Sequence, residues 1–141
     1  MKKIIIGLSL LGMSIGAFAQ DVPRAVRDRF KKDYPRVAKM QWERVNGRWN
    51  ASFNKEGNDM MACYEVNGRH IDSRIPVSQT VVPDPVIHHL RTVYPGEMAH
   101  SFTKIDRPHK RDLYKVNITQ RGAPRTIYMD SHGHEQYYAS R

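Results

Sequence analysis

The sequence holds one cysteine, Cys63, and so no internal disulfide can brace it. A small exported domain without a disulfide must be held by its core alone. The apolar run "MMACYEV" around Cys63 reads as buried surroundings, and no neighbouring histidine marks the thiol as a nucleophile. Acid is also scarce, with 14 Asp and Glu against 23 Lys and Arg. The patterns G-x-S-x-G, H-E-x-x-H and the phosphate-binding P-loop are all missing, which removes the commonest routes to a hydrolase or nucleotide enzyme. The one long hydrophobic run lies at the start, where "MKK" precedes "IIIGLSLLGMSIGAF" and the small-x-small triplet "AFA". That order is the anatomy of a secretory signal peptide over residues 1–19, with cleavage after Ala19. No cysteine follows the cleavage site, so a lipid anchor is not signalled. The expectation is a periplasmic or secreted protein that does not span the membrane once cleaved.

The leader carries two lysines and no acid, so the remaining chain keeps a net charge of about +7. Such a balance favours anionic partners. Nucleic acid is set aside because an exported protein rarely meets it. Anionic envelope glycans, lipid head groups and acidic protein surfaces remain.

What the chain does have is a phrase written twice. "VPRAVRDRFKKDYP" at 22–35 returns as "VPDPVIHHLRTVYP" at 82–95. Val22, Val26, Phe30 and Tyr34 fall at i, i+4, i+8 and i+12, as do Val82, Val86, Leu90 and Tyr94. That spacing draws an apolar stripe along a helix of about three turns. Asp21 and Asp84 are N-cap candidates, and Pro35 and Pro95 stop the helices. Downstream, "RWNASFN" and "LYKVNIT" alternate apolar and polar with period two, as half-buried strands do. "VNGR" at 45–48 and 66–69 signals hairpins, and "NKEGN" and "QRGAP" read as slightly longer turns. The matched positions continue, Trp42 with Phe102, Trp49 with Tyr114, Phe53 with Ile118 and Gly68 with Gly133. The predicted fold is α+β, a tandem repeat of one helix packed on a four-stranded antiparallel sheet. Its units are residues 20–77 and 78–141, joined by the segment 73–84. The helix-covered face holds Met40, Trp42, Trp49, Ala51 and Phe53, then Phe102, Tyr114, Val116, Ile118 and Ile127.

The run "VPRAVRDRFKKDYPRVAKMQWE" followed by "GRWNASFNKEG" resembles the exported PepSY-like domain family, also described as β-lactamase-inhibitor-like proteins. The resemblance runs through Val22, Pro23, Val26, Phe30, Tyr34, Pro35, Trp42, Glu43, Trp49 and Phe53. It implies a tandem of helix-plus-sheet units in the envelope and no established activity. It supplies no catalytic residues, and function argued from fold alone is analogy.

Metal and hydrolase chemistry have weak footholds. His132 and His134 flank a glycine in a predicted turn, and His88 and His89 point about 100° apart on a helix. "DSH" at 130–132 cannot converge as a triad, because triads are assembled from distant positions. No cofactor or metal is expected, and the reading is not an enzyme. It is an exported binding module, an inhibitor or modulator of an envelope protein such as a peptidase or other hydrolase. The exposed sheet face offers Lys39, Gln41, Glu43, Arg48 and Asn50, with Lys115 and Asn117 from the second unit. The alternative is an anionic glycan or lipid held by a basic loop, through Arg107, His109, Lys110 and Arg111, and by the sheet face.

Overall fold

A computed structural model describes residues 21–138; the expected leader lies outside them. Chain order is α1 (Arg24–Asp33), β1 (Gln41–Val45), β2 (Arg48–Lys55), β3 (Asn58–Tyr64), β4 (His70–Val77), a short 3-10 turn (Gln79–Val81), α2 (Asp84–Val93), β5 (Met98–Asp106), β6 (Leu113–Gln120) and β7 (Ala123–Asp130). The strands pair in sequence order into one antiparallel sheet of seven. The predicted tandem of four-stranded units is therefore overturned. β4 pairs with β5 directly, from Ser73 with Asp106 to Val77 with Phe102. After β7, among the described residues, a single bridge between Met129 and Glu135 forms where an eighth strand was expected. Two separate sheets would each leave a row of unpaired N–H and C=O groups on the edges that β4 and β5 now share, and pairing satisfies them. The supposed joint at 73–84 supplies five of the eight residues of β4, the middle strand.

Both helices run ten residues and stop one residue before a tyrosine–proline pair. Pro35 and Pro95 disfavour helical backbone at Tyr34 and Tyr94, which close the helices instead. Neither aspartate caps a helix. Pro23 and Pro83 hold the N-cap positions without a side-chain bond, and Asp84 lies in the first turn, where the helix dipole favours an acid.

The stripe of α1 buries Val22, Val26 and Phe30 against Trp42, Trp49, Ala51, Phe53, Ala62 and Tyr64. That of α2 buries Val82, Val86, Leu90 and Tyr94 against Phe102, Tyr114, Val116, Ile118, Ile127 and Met129. Cross-strand partners share a face, so Ala62 beside Ser73, and Val77 beside Phe102, put both helices on one side of the sheet. Each helix start also meets a turn glycine. A Cβ on Gly68 would lie 2.6 Å from the carbonyl oxygen of Ala25, and one on Gly133 2.5 Å from that of Pro85. Both glycines have positive φ, so only glycine lets these turns seat against the helices. "NKEGN" and "QRGAP" make tighter turns than expected. Lys55 pairs with Asn58 and Gln120 with Ala123, leaving two residues in each loop.

Candidate functional site

With both helices on one side, the other face of the sheet is free of them. Strand alternation places Gln41, Glu43, Arg48, Asn50, Ser52, Met61, Arg74, Thr103, Lys115 and Asn117 there. All seven residues singled out from the sequence lie on or beside this face. They are not equally available. Lys39, Gln41 and Glu43 are exposed, whereas Arg48, Asn50, Lys115 and Asn117 are half-buried. Asn117 is tied into a cross-strand ladder. It donates to Ser101 Oγ at 2.9 Å and accepts from Thr126 Oγ1 at 2.9 Å, which commits both ends of its amide.

A depression of about 720 Å³ opens on this face, with Lys39, Gln41, Ser52, Met61, Arg74, Thr103 and Lys115 in its lining. It draws on strands β1 to β6, so it exists only because the sheet is continuous. Lys39, Arg74 and Lys115 face a single carboxylate in its lining, Asp59, which makes the depression basic. Glu43, Arg48, Asn50 and Asn117 lie outside that lining. Arg48 instead borders a separate crevice with Glu65 and Asn67.

Toward one end of the strands, the same face is buried without a helix. Asp72 is 1% exposed, and Ile105 and Leu113, which follow Arg74 across the register, are also buried. The chain's own C-terminal segment comes over this region. Gln136 N donates to Tyr128 O at 2.7 Å, and the Tyr138 hydroxyl donates to Asp72 Oδ2. The Tyr138 ring lies 5.3 Å from that of Tyr128, and the Arg107 guanidinium stands over it at 5.9 Å. Burial and the Asp72 carboxylate together push the Tyr138 phenol up to about 12. Cys63, cross-strand from Asp72, is buried and its thiol is pushed up to about 11, by burial first and then by that carboxylate. A thiol so placed is a poor nucleophile.

Arg107 is thereby withdrawn from the basic loop. Its Nε and Nη2 also donate to Arg111 O at 3.0 and 2.6 Å. His109, Lys110 and Arg111 remain exposed.

A polar chain lies beneath α1 that no sequence pattern signalled. Ser73 Oγ lies 2.8 Å from His70 Nε2, and His70 Nδ1 lies 3.7 Å from Asp33 Oδ2. The residue types are those of a nucleophilic triad. Ser73, however, is 2% exposed and shares a 2.5 Å hydrogen bond with the Tyr34 hydroxyl. A substrate carbonyl has no approach to it. Tyr64 donates to Asp33 Oδ2 at 3.0 Å, so the chain satisfies buried polar groups and ties β3 and β4 to the end of α1. At the other end, Asp130 Oδ1 accepts from His132 N at 2.9 Å and His134 N at 3.0 Å. Burial opposes the Asp130 charge, but these donors outweigh it and hold the carboxyl below its usual range. His132 and His134 are exposed turn residues there.

No protein-family model matches the sequence, and no curated protein matches it either. Among solved structures the fold is similar to that of a DUF2874 family protein from Bacteroides uniformis, at TM-score 0.74 and 19% identity over 80% of this chain and 85% of that one. It is similar too to a protein ascribed to the periplasm of Bacteroides eggerthii, at TM-score 0.75 and 16% identity over 82% and 86%. A BLIP-like protein from Bacteroides fragilis matches at TM-score 0.70 and 17% identity over 82% and 84%. None of these descriptions names an enzyme family. Among the described residues no helix is long and apolar enough to cross a membrane. These descriptions name no PepSY domain, and what the likeness supports is a fold of the BLIP-like kind.

Proposed function

We propose that the chain is a non-enzymatic exported binding module that takes a protein partner on the helix-free face of its sheet. The observation that carries this reading is the basic depression of about 720 Å³, built from six strands and lined by Lys39, Arg74 and Lys115. A rigid sheet presents such groups in fixed register, which favours a partner with a complementary acidic projection. The BLIP-like neighbour agrees with a binding role in general terms. An inhibitor or modulator of an envelope hydrolase is the form of that role we favour. Anionic glycan or lipid comes second, because Arg107 is engaged with Arg111 and Tyr138.

The test is capture from an envelope extract with the full chain and with Lys39→Glu/Lys115→Glu. A discrete partner retained at moderate salt by the first and lost by the second supports the reading. Retention by both removes the depression from consideration. A heterogeneous catch that washes away with salt selects the polyanion instead.

A further inference from the structure

The buried end of the helix-free face looks like an occupied site rather than an ordinary core. Its acceptor, Asp72, is a carboxylate 1% exposed on a face that carries no helix. Its neighbour Arg74 stands 3.4 Å away, Nε to Oδ1, too poorly aligned for a hydrogen bond. Both of those atoms are buried without a partner among the described residues. A carboxylate kept this dry needs a donor. The donor is Tyr138, 66 residues further along the chain and delivered by an irregular segment after the last strand. Its ring meets that of Tyr128 and lies under the Arg107 guanidinium. Aromatic ring, cation above it and anionic acceptor at the hydroxyl together recognise a phenol. Tyr137, one residue earlier, is 96% exposed, so the segment inserts one side chain and leaves its neighbour in water. Arg74 also lines the adjoining depression, so the phenol site and the depression share a wall.

We propose that Asp72, Arg74, Arg107 and Tyr128 form a tyrosine-accepting subsite of the helix-free face, filled in the free protein by the chain's own Tyr138, and that a protein partner displaces it with a tyrosine of its own. The inference rests on the reading of that face as a protein-binding surface and names the side chain the partner brings. The tethered Tyr138 is present at roughly millimolar effective concentration, so it blocks weak phenols and yields to a partner that also fills the depression.

The experiment uses the full chain with Tyr138→Ala, which empties the subsite, and the peptide acetyl-Glu-Gln-Tyr-Tyr-amide as the probe. Amide chemical shifts report on Asp72, Arg74 and Tyr128. Binding to Tyr138→Ala is expected at least about tenfold tighter than to wild type, with shifts at those three residues. The same peptide ending in Phe should bind about tenfold more weakly, since it lacks the hydroxyl that meets Asp72. Should Tyr138→Ala fail to fold, Tyr138→Phe keeps the ring in place but loses the hydroxyl that meets Asp72. It weakens the internal competitor, so the peptide should still bind more tightly than to wild type, though by less than to Tyr138→Ala. Equal binding by wild type and variant, or no shift at Asp72, overturns the subsite. If the peptide fails while Lys39→Glu/Lys115→Glu still loses its partner, only the tyrosine inference falls. If the peptide binds while that pair keeps its partner, the depression falls and the subsite stands.

Discussion

The two ends of the sheet are covered by helices of the same length and stripe, yet they are filled differently. Under α1, Phe30 is the hub of an aromatic cluster, 5.3 Å from Trp42, 5.2 Å from Phe53 and 6.3 Å from Tyr64. Under α2 the same place belongs to Leu90, with Val116, Ile118, Ile127 and Met129 around it. The polar fastenings differ as well. Tyr34 reaches inward to buried Ser73, while Tyr94 donates to Glu135, whose side chain is 40% exposed. Helix placement is set by where apolar groups recur. How firmly each helix is held depends on what fills the stripe.

The largest expected effect is at the aromatic hub. Phe30→Ala should cost about 3–5 kcal/mol, and Leu90→Ala should fall toward the lower part of about 2–5 kcal/mol. Urea unfolding of both measures the gap, and a larger loss at Leu90 would break the comparison. Next come the two turn glycines. Gly68→Ala and Gly133→Ala each add a Cβ against a helix carbonyl at positive φ, so both should lose about 2–4 kcal/mol. Here the ends should agree, and thermal melts that differ by several degrees would show that one turn can yield.

Ser73→Ala strips a partner from both Tyr34 and His70 and should cost about 1–3 kcal/mol, against roughly 1 kcal/mol or less for Glu135→Ala at the wetter end. Matching losses would mean that the buried network is no firmer than the exposed one. The smallest effect is the docking of Tyr138. Its phenol is raised from 10.0 to about 12, so the folded state favours the protonated form. The contact is therefore complete below pH 10 and lost as pH climbs toward 12. Absorbance of tyrosinate in wild type minus Tyr138→Phe should show this late ionisation; a step near 10 would place Tyr138 in water.

Much of this was legible beforehand. The stripes of Val26 and Phe30, and of Val86 and Leu90, name both helices, because burial at every third or fourth residue is a local property of the chain. Trp42, Trp49, Phe53, Val116 and Ile118 declare their face by alternation alone. The sheet-face candidates followed from the same rule, although Asn117 proved tied to Ser101 and Thr126 and Arg48 lay outside the depression. β4 was not legible. "HIDSRIPV" carries its buried groups as Asp72 and Ser73, polar residues that read as a linker. A register shift between Cys63 and Tyr64 further hides which of its side chains oppose which. Only contacts with Tyr138 and Tyr34 reveal why those two are inside.

The amino-acid sequence determined by itself where the helices stop, which side chains they bury and where hairpins such as Asn46-Gly47 turn. Each of those outcomes depends on residues a few positions apart, through proline sterics, left-handed turn backbone and the spacing of apolar groups. The joining of β4 to β5, the basic depression spanning six strands and the seating of Tyr138 on Asp72 were decided by tertiary structure. Those contacts link groups tens of residues apart. They are favoured because unpaired strand edges and dry carboxylates find their partners only once the whole sheet is assembled.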